Sequence, residues 1–447
     1  MNIVKGKLTI RNATPADAPL LCSWWNDGAV MAHAGFPNGL GTTVEKLLAL
    51  ITTQSDATTR RHIMEYDGQP IGEMNYHNKG NQVAEMGIKI CIPDMREKGL
   101  GTTMLSIYID ALFNYYGYEK VILDANTQNK RAQHVYENKI GFQKLQVREN
   151  AWQDQLGNMQ SCIDYELTKT QWLAQHPTPL QYIHLRPERP DETQMVESIS
   201  REAHWDNGWD MTPKITDVHL LVNRLRQCPA YVPALHYVAE VGGTLVGNII
   251  YSTCRIVADD GTSHQILTFG PLSVLPAYQG QGIGKALLGF TRVEAARLGY
   301  KAICIFGHPD YYPRVGFRPA SQFGITNDEG KSSDACMALP LYENALEGIQ
   351  GRCLLDPVYQ DIPQTEVDAF DKNFPPKAMP SPVSIDVLLD RLDPPAQKAL
   401  EGMRGKSLAY MQTKSVNALS SLEGIDAKAL DTIYTVLGEH GRPWGNR

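Results

Sequence analysis

A chain of 447 residues with formal charge −7 is too long for one core and carries no global positive field that would draw it to nucleic acid or an anionic membrane. Eight cysteines without a C-x-x-C pair point to neither a zinc ribbon nor a disulfide framework, so no metal and a reducing, cytoplasmic setting are expected. No stretch approaches about 18 apolar residues, which argues against a membrane partner.

Leu8 to Arg11 reads as a first strand, and Thr14-Pro15-Ala16-Asp17 as a capping-box start with proline at the first helical position. The helix it opens carries Leu20, Leu21, Trp24 and Trp25, the tryptophans serving core and lid. Gly35 to Thr42 is a loop and Val44 to Ile51 a second helix. His62 to Tyr66 and Gln69 to Tyr76 flank Asp67-Gly68, a hairpin turn signal. Val83 to Ile92 is an apolar strand that stops at Pro93 and runs through Arg96-Glu97-Lys98-Gly99-Leu100-Gly101 into a helix over Thr102 to Phe113. A strand over Lys120 to Ala125 follows, then Asn126, Asn129, Arg131, Ala132, Tyr136 and Gly141-Phe142.

Around His176 to Leu180 the order restarts. Tyr182 to Arg186 matches the first strand, Pro190-Asp191-Glu192 opens a helix, and Gly242-Gly243 turns a second hairpin. The spacing predicts two copies of one domain, over 1–176 and 180–372. A proline-rich linker at Phe374 to Pro382 then leads to a small helical region over 383–447.

The second copy's strand, Ile266 to Val274, ends at Pro276 and enters a turn in which Gly280, Gly282 and Gly284 leave the backbone bare before a helix. Amides converging at a helix's positive end suit an anion, and a diphosphate is the natural guest. A nucleoside-triphosphate loop is excluded by Gln279 and Ala286, which stand where it needs a glycine and a hydroxyl residue. A dinucleotide fingerprint fails because Lys285 replaces its last glycine.

What does fit is Gln-x-x-Gly-x-Gly (Gln279, Gly282, Gly284) after a strand ending Val-x-Pro, followed downstream by Tyr312 four residues before Gly316-Phe317. This resembles the acetyl-CoA loop of the GNAT superfamily of N-acetyltransferases. The resemblance covers roughly residues 5–170 and 180–345, and the first copy is similar to the branch that acetylates ribosomal-protein N-termini. It implies an α/β fold, a mixed sheet with flanking helices, in two tandem copies.

It also implies that amides of Gly280, Gln281, Gly282, Ile283, Gly284 and Lys285, and of Lys98, Gly99, Leu100, Gly101 and Thr102, hold the diphosphate of acetyl-CoA. Gln279 and Arg96 would support these loops. The pantetheine arm would pair with backbone at Leu272 to Val274, or at Lys89 to Cys91. A neutral amine of a small molecule or peptide then attacks the thioester directly. Losing its proton at pH 7 costs a lysine-like amine roughly 4 to 5 kcal/mol and a peptide α-amine about 1.

Tyr312 is the expected proton donor to the leaving thiolate, with Tyr311 as understudy and Tyr136 in the first copy. Tyr136 stands five residues before Gly141 rather than four, as an extra residue at the helix end would explain. Glu85 is the first copy's candidate base; Glu240, His308 and Asp310 are candidates in the second. Rival readings keep one copy for binding or structure alone, or assign the chain to nucleic acid through Leu422 to Leu430, which is similar to a helix-hairpin-helix turn. Asp426, where that motif usually has a glycine, makes nucleic acid the lesser reading. A homo-oligomer is left open.

Overall fold

The computed structural model describes residues 1–205, 211, 214–360, 362–379, 381–414 and 416–440. It divides into two compact units, Met1–Leu185 with Val241–Gly243, and Arg186–Glu240 with Thr244 onward. Tyr182 stays with the first unit because its buried hydroxyl donates to Asp110 Oδ2 at 2.8 Å.

The first unit contains β1 (Asn2–Lys5), β2 (Leu8–Asn12), α1 (Ala18–Trp25), α2 (Gly28–Met31), α3 (Val44–Thr52), β3 (Thr59–Tyr66), β4 (Gln69–Asn78), β5 (Val83–Ile90), α4 (Leu100–Asn114), β6 (Lys120–Asn126), α5 (Lys130–Val135), β7 (Gln143–Gln153), β8 (Met159–Thr168) and α6 (Lys169–Gln175). Its sheet runs β1-β2-β3-β4-β5-β6-β8-β7, antiparallel except for the parallel neighbours β5 and β6. One face buries Ala84 and Met86 against Leu105, Tyr108 and Leu112 of α4. Each such large side chain contributes about 1.5–3 kcal/mol. The other face packs Ile63 against Leu21 and Trp24 of α1 and Leu47 of α3.

The start of α1 explains how the chain turns off the sheet. Thr14 and Asp17 form the expected capping box, and Asp17 also receives two hydrogen bonds from Arg11, each 2.8 Å. Arg11 donates onward to Glu65 Oε1 at 2.7 Å. The second unit repeats this ion triad: Arg186 donates to Glu192 at 2.7 and 2.6 Å and to Glu240 at 3.0 Å twice. Glu240 therefore locks a strand to a helix start, which accounts for its carboxylate without a catalytic role.

The second copy contains β9 (Ile183–Pro187), α7 (Thr193–Ala203), α8 (Val218–Gln227), β10 (Tyr237–Val241), β11 (Thr244–Val257), β12 (Ser263–Val274), α9 (Ile283–Arg297), β13 (Ala302–Phe306), β14 (Arg318–Pro319), β15 (Ile325–Thr326), β16 (Cys336–Pro340) and β17 (Gly351–Leu354). β11 and β12 are antiparallel, β12 and β13 parallel, and β17 returns to pair with β11. All eight cysteines of the chain are free thiols.

The stretch after α10 (Gln364–Asp371) differs from the expected linker. Phe374 is buried against His219 and Phe370, and Trp205 Nε1 donates to the Ala378 carbonyl at 3.2 Å, so aromatic anchors fix its described residues to the domain. Beyond it, α11 (Asp386–Leu389), α12 (Pro394–Leu400), α13 (Val416–Ser420) and α14 (Ala427–Glu439) enclose their own core, which includes Leu388, Leu400 and Ile433. Asp426 caps α14, its Oδ1 accepting from the Ala429 amide at 2.8 Å. The acid in the hairpin-like turn is thus accounted for by helix capping. No helix among the described residues is long and apolar enough to cross a membrane.

Candidate active site

The site is made by two strands that part. β5 and β6 pair only at Val83–Lys120, Ala84–Val121 and Glu85–Ile122. Past that point β5 follows β4 as far as Ile90, while β6 follows β8 as far as Asn126. A cavity of about 800 Å³ fills the gap. Its floor is Met86 to Ile90, one wall is Asp124 to Asn126 with Tyr136, and His33 and Trp152 also border it. Trp152 lies so close to Gly35 that a side chain there would meet the indole at 2.3 Å. The Gly35–Thr42 loop is tied down further by Gln155, whose amide donates to the Gly35 carbonyl and whose Oε1 accepts from Asn38 N. From the sequence, the loops Gly35 to Thr42 and His204 to Pro213 are expected to shape the choice of acceptor at the open ends of the two sheets; residues 206–210 and 212–213 of the latter lie outside the described residues.

At the cavity's other end α4 begins. Gly99 caps it at φ 75°, and Arg96, Glu97, Gly99, Gly101 and Thr102 line the cavity while Lys98, Leu100 and Cys91 do not. Arg96 Nε donates to the Ile90 carbonyl at 3.2 Å, holding the loop on its strand. The first turn of any helix leaves amides without an intrahelical acceptor, and here those amides open onto the cavity. Cys91 is engaged elsewhere: its amide donates to Ile71 O at 2.9 Å and burial pushes its thiol up to about 12.

Tyr136 begins a π-helical turn, Tyr136–Ile140, that absorbs the extra residue in the motif. The amides of Gly141 and Phe142 both reach its carbonyl, at 3.0 and 2.9 Å. In the second copy Phe317 N reaches the Tyr312 carbonyl at 3.1 Å across one residue fewer. Burial, and then the charge of Asp124, push the Tyr136 hydroxyl up to about 12, so it stays protonated at neutral pH.

Glu85 does not line the cavity. The strands are still paired at its position, and its carboxylate meets Lys79 Nζ at 3.1 Å. Two acids do border the cavity: Glu97, in the turn before α4, and Asp124, two residues beyond the last β5–β6 pair and on the wall shared with Tyr136, a position the sequence did not single out. The signal for Asp124 was a lone carboxylate following the apolar run Val121 to Leu123. Desolvation by the cavity wall raises its carboxyl although 56% of the side chain is exposed, and Arg148 at 3.1 Å pulls the other way without cancelling the effect. Asp124, Cys162 and Asp164 have ligand atoms within 4.8 Å of one another, but Arg148 also bridges Asp164 at 2.8 Å, so a guanidinium already serves both carboxylates.

Close to the cavity floor, Glu73 accepts from Trp25 Nε1 at 2.8 Å, Arg61 at 2.5 Å and Lys89 at 3.1 Å. Burial alone would raise its carboxyl, yet Arg61 and Lys89 hold it below the usual range.

The second copy parts in the same way. β12 and β13 pair only at Leu267–Ile303, with Leu272 and Val274 beyond the pair and opposite Ile249 and Gly247 of β11. Gly280 and Gly282 take φ 73° and 83°, Ile283 is buried, and Lys285 is exposed on α9. Gln279 Nε2 donates to the Val274 carbonyl at 3.0 Å, and Gln281 Nε2 to Ala277 O at 3.1 Å. A Cβ at Gly284 would stand 2.8 Å from the Tyr311 hydroxyl, so a side chain there would have to displace that phenol.

Tyr312 packs between Phe269 and Phe317, at ring distances of 5.8 and 5.5 Å, and burial raises its hydroxyl. By strand register Phe306, half exposed, stands where the first copy has Asp124. His308 Nε2 contacts the Gln412 carbonyl and Asp310 Oδ2 accepts from Val416 N at 2.9 Å, so both candidate bases are taken up by the C-terminal helices.

Family models described as acetyltransferase (GNAT) domains match residues 7–143 and 233–319. The chain belongs to the GNAT superfamily, with two tandem copies of its domain. An uncharacterized N-acetyltransferase of Escherichia coli, YjhQ, is 37% identical over 103 residues, 23% of this chain and 55% of that protein. A second, YhbS, is 27% identical over 109 residues, 24% of this chain and 64% of the relative. The chain therefore spans between half and two thirds of the curated relatives it matches. Among solved structures, E. coli YhbS in complex with CoA aligns at TM-score 0.36 and 22% identity, over 41% of this chain and 96% of that one. The spermidine N-acetyltransferase of Vibrio cholerae with CoA and spermine aligns at TM-score 0.35 and 21% identity, over 38% and 99%.

Proposed function

We propose that the protein is an acetyl-CoA-dependent N-acetyltransferase that acts on a primary amine of a small molecule or peptide, and that the first copy carries the reaction. The observation behind this is the gap between β5 and β6, which places a helix start, an exposed strand edge and the Asp124–Tyr136 pair around one cavity. The residues fit the cofactor: Gly99 and Gly101 let the diphosphate approach the amides of α4, and Met86 to Ile90 offer backbone to the pantetheine amides. When bound, the cofactor supplies an activated acetyl group.

Asp124, a carboxylate with a raised pKa, takes a proton from the incoming ammonium or from a water beside it. Tyr136, protonated at neutral pH, gives a proton to the departing sulfur. A thiol-release assay with acetyl-CoA and a panel of amines tests this on the wild type, Asp124→Asn, Tyr136→Phe and Tyr312→Phe. Activity lost with the first two and kept with the third is expected; the reverse would transfer the chemistry to the second copy.

Phe306 at the register of Asp124 favours a second reading for the later copy alone, as a CoA-binding or structural domain. Titration with CoA decides between these: two equivalents per chain means a binding copy, one means a structural copy.

A further inference from the structure

Glu97 and Arg131 face each other at the cavity of the first copy, Arg131 Nη1 standing 3.6 Å from Glu97 Oε1. That separation is an ionic contact without a hydrogen bond. The side chains are 84% and 50% exposed, so the pair contributes little to stability. Its placement is less ordinary. Glu97 adopts φ 63°, a left-handed backbone unusual for a residue with a side chain, in the turn that opens α4. Glu97 stands two residues before Gly99, the cap of α4, so it lies in the turn where a bound anion would gain from the helix's first amides and dipole. Arg131 lies on α5, just over one turn before Tyr136. The second copy has Gly280 in that turn and no α-helix between β13 and Tyr312, so it lacks both members of the pair.

We propose, resting on the acetyl-CoA reading above, that Glu97 is a stand-in anion: a phosphate of the cofactor displaces it, and Arg131 changes partner from carboxylate to phosphate. Arg131 is then the residue that selects phosphorylated thioesters in the first copy. A phosphate offers the guanidinium two oxygens in fork geometry, where Glu97 gives one contact too long to be a hydrogen bond. The displaced carboxylate is already mostly in water, so its release costs little. CoA carries two sources of this chemistry, the diphosphate and the ribose 3′-phosphate.

The test is calorimetric titration of the full chain with CoA, 3′-dephospho-CoA and 4′-phosphopantetheine. The proteins are wild type, Arg131→Gln, Arg131→Lys, Glu97→Gln and the Glu97→Gln/Arg131→Gln double variant. Arg131→Gln is expected to weaken CoA roughly tenfold, the scale of one charge-assisted hydrogen bond, and Arg131→Lys to recover part of the loss. A loss that disappears with 3′-dephospho-CoA assigns the ribose phosphate; one that persists there assigns the diphosphate. Glu97→Gln is expected to tighten CoA several-fold alone and to change nothing once Arg131→Gln is present. Where the titration shows a second CoA equivalent per chain, its affinity, set by the copy that holds neither side chain, is expected to stay constant across the series. Unchanged CoA affinity in Arg131→Gln, or equal tightening by Glu97→Gln in both backgrounds, overturns the exchange while leaving the acetyl-CoA reading intact. A wild type that binds no CoA overturns both.

Discussion

Glu97 in the first copy and Gly280 in the second occupy the same place in the same turn, four residues past the proline that ends the strand, at φ 63° and 73°. The turn therefore demands a left-handed backbone whatever residue stands there. A Cβ at Gly280 would meet nothing within 4 Å, so the cost of adding one is conformational alone. Gly280→Ala is expected to destabilise the second unit by about 1 kcal/mol, read as a lower denaturant midpoint at unchanged m-value. A change near zero would mean the turn can relax to a negative φ.

Asp124 gives the reaction a pH signature. Its carboxyl is raised by desolvation at the cavity wall, so the ionised form needed to accept a proton is lost, on acidification, above the ordinary aspartate value of about 3.9. The acid limb of kcat/KM should lie above that value and disappear in Asp124→Asn, with kcat lower by roughly 10²- to 10⁴-fold. An intact limb in Asp124→Asn would assign it to another group and remove Asp124 as the proton acceptor.

The parts of this molecule legible in the sequence are those written as punctuation. Pro93 and Pro276 end strands, Gly99 and Gly282 cap helices, and the hairpin at Asp67-Gly68 follows from turn chemistry. The proton acceptor was not legible, because it depends on where two parallel strands separate. Glu85 and Asp124 sit on adjacent strands two residues apart in register, and neither position shows from sequence which side of the split it falls on. The role of Glu240 was hidden for a related reason: its partner Arg186 is 54 residues away, and only folding brings the triad together. Likewise β1 escaped notice, being four residues of mixed character joined to β2 by a two-residue turn.

Deleting one residue from the π-helical turn tests what that extra residue does. Tyr136 is almost fully buried, its ring against Phe142 and Tyr165, and Glu137 beside it accepts from Tyr165 Oη at 2.6 Å. Removing Asn138 would restore the four-residue spacing of the second copy while keeping Glu137 and Gly141. The expected outcome is a folded protein with normal CoA affinity and reduced kcat, since the phenol shifts relative to the sulfur while the loop at α4 is untouched. Loss of CoA binding instead would show that the turn shapes the cofactor cavity.

The ion cluster on Glu73 sets the acid stability of the first unit. Its carboxylate is buried, accepts three donors, and is held below the usual range because Arg61 and Lys89 outweigh its desolvation. A depressed pKa in the folded state means the folded chain binds fewer protons than the unfolded one near pH 4. The stabilisation is therefore full above the unfolded value of about 4.3 and fades as pH falls through the lower folded value. Glu73→Gln leaves Arg61 and Lys89 without their anion and is expected to cost about 3–5 kcal/mol at pH 7, the scale for breaking a buried pair from one side. Urea unfolding of wild type and variant at pH 7 and pH 4 checks both parts. The gap between the two proteins should narrow at the lower pH, and a constant gap would mean that packing of Trp25 and Arg61, whose guanidinium lies 4.5 Å over the indole, carries the effect instead of charge.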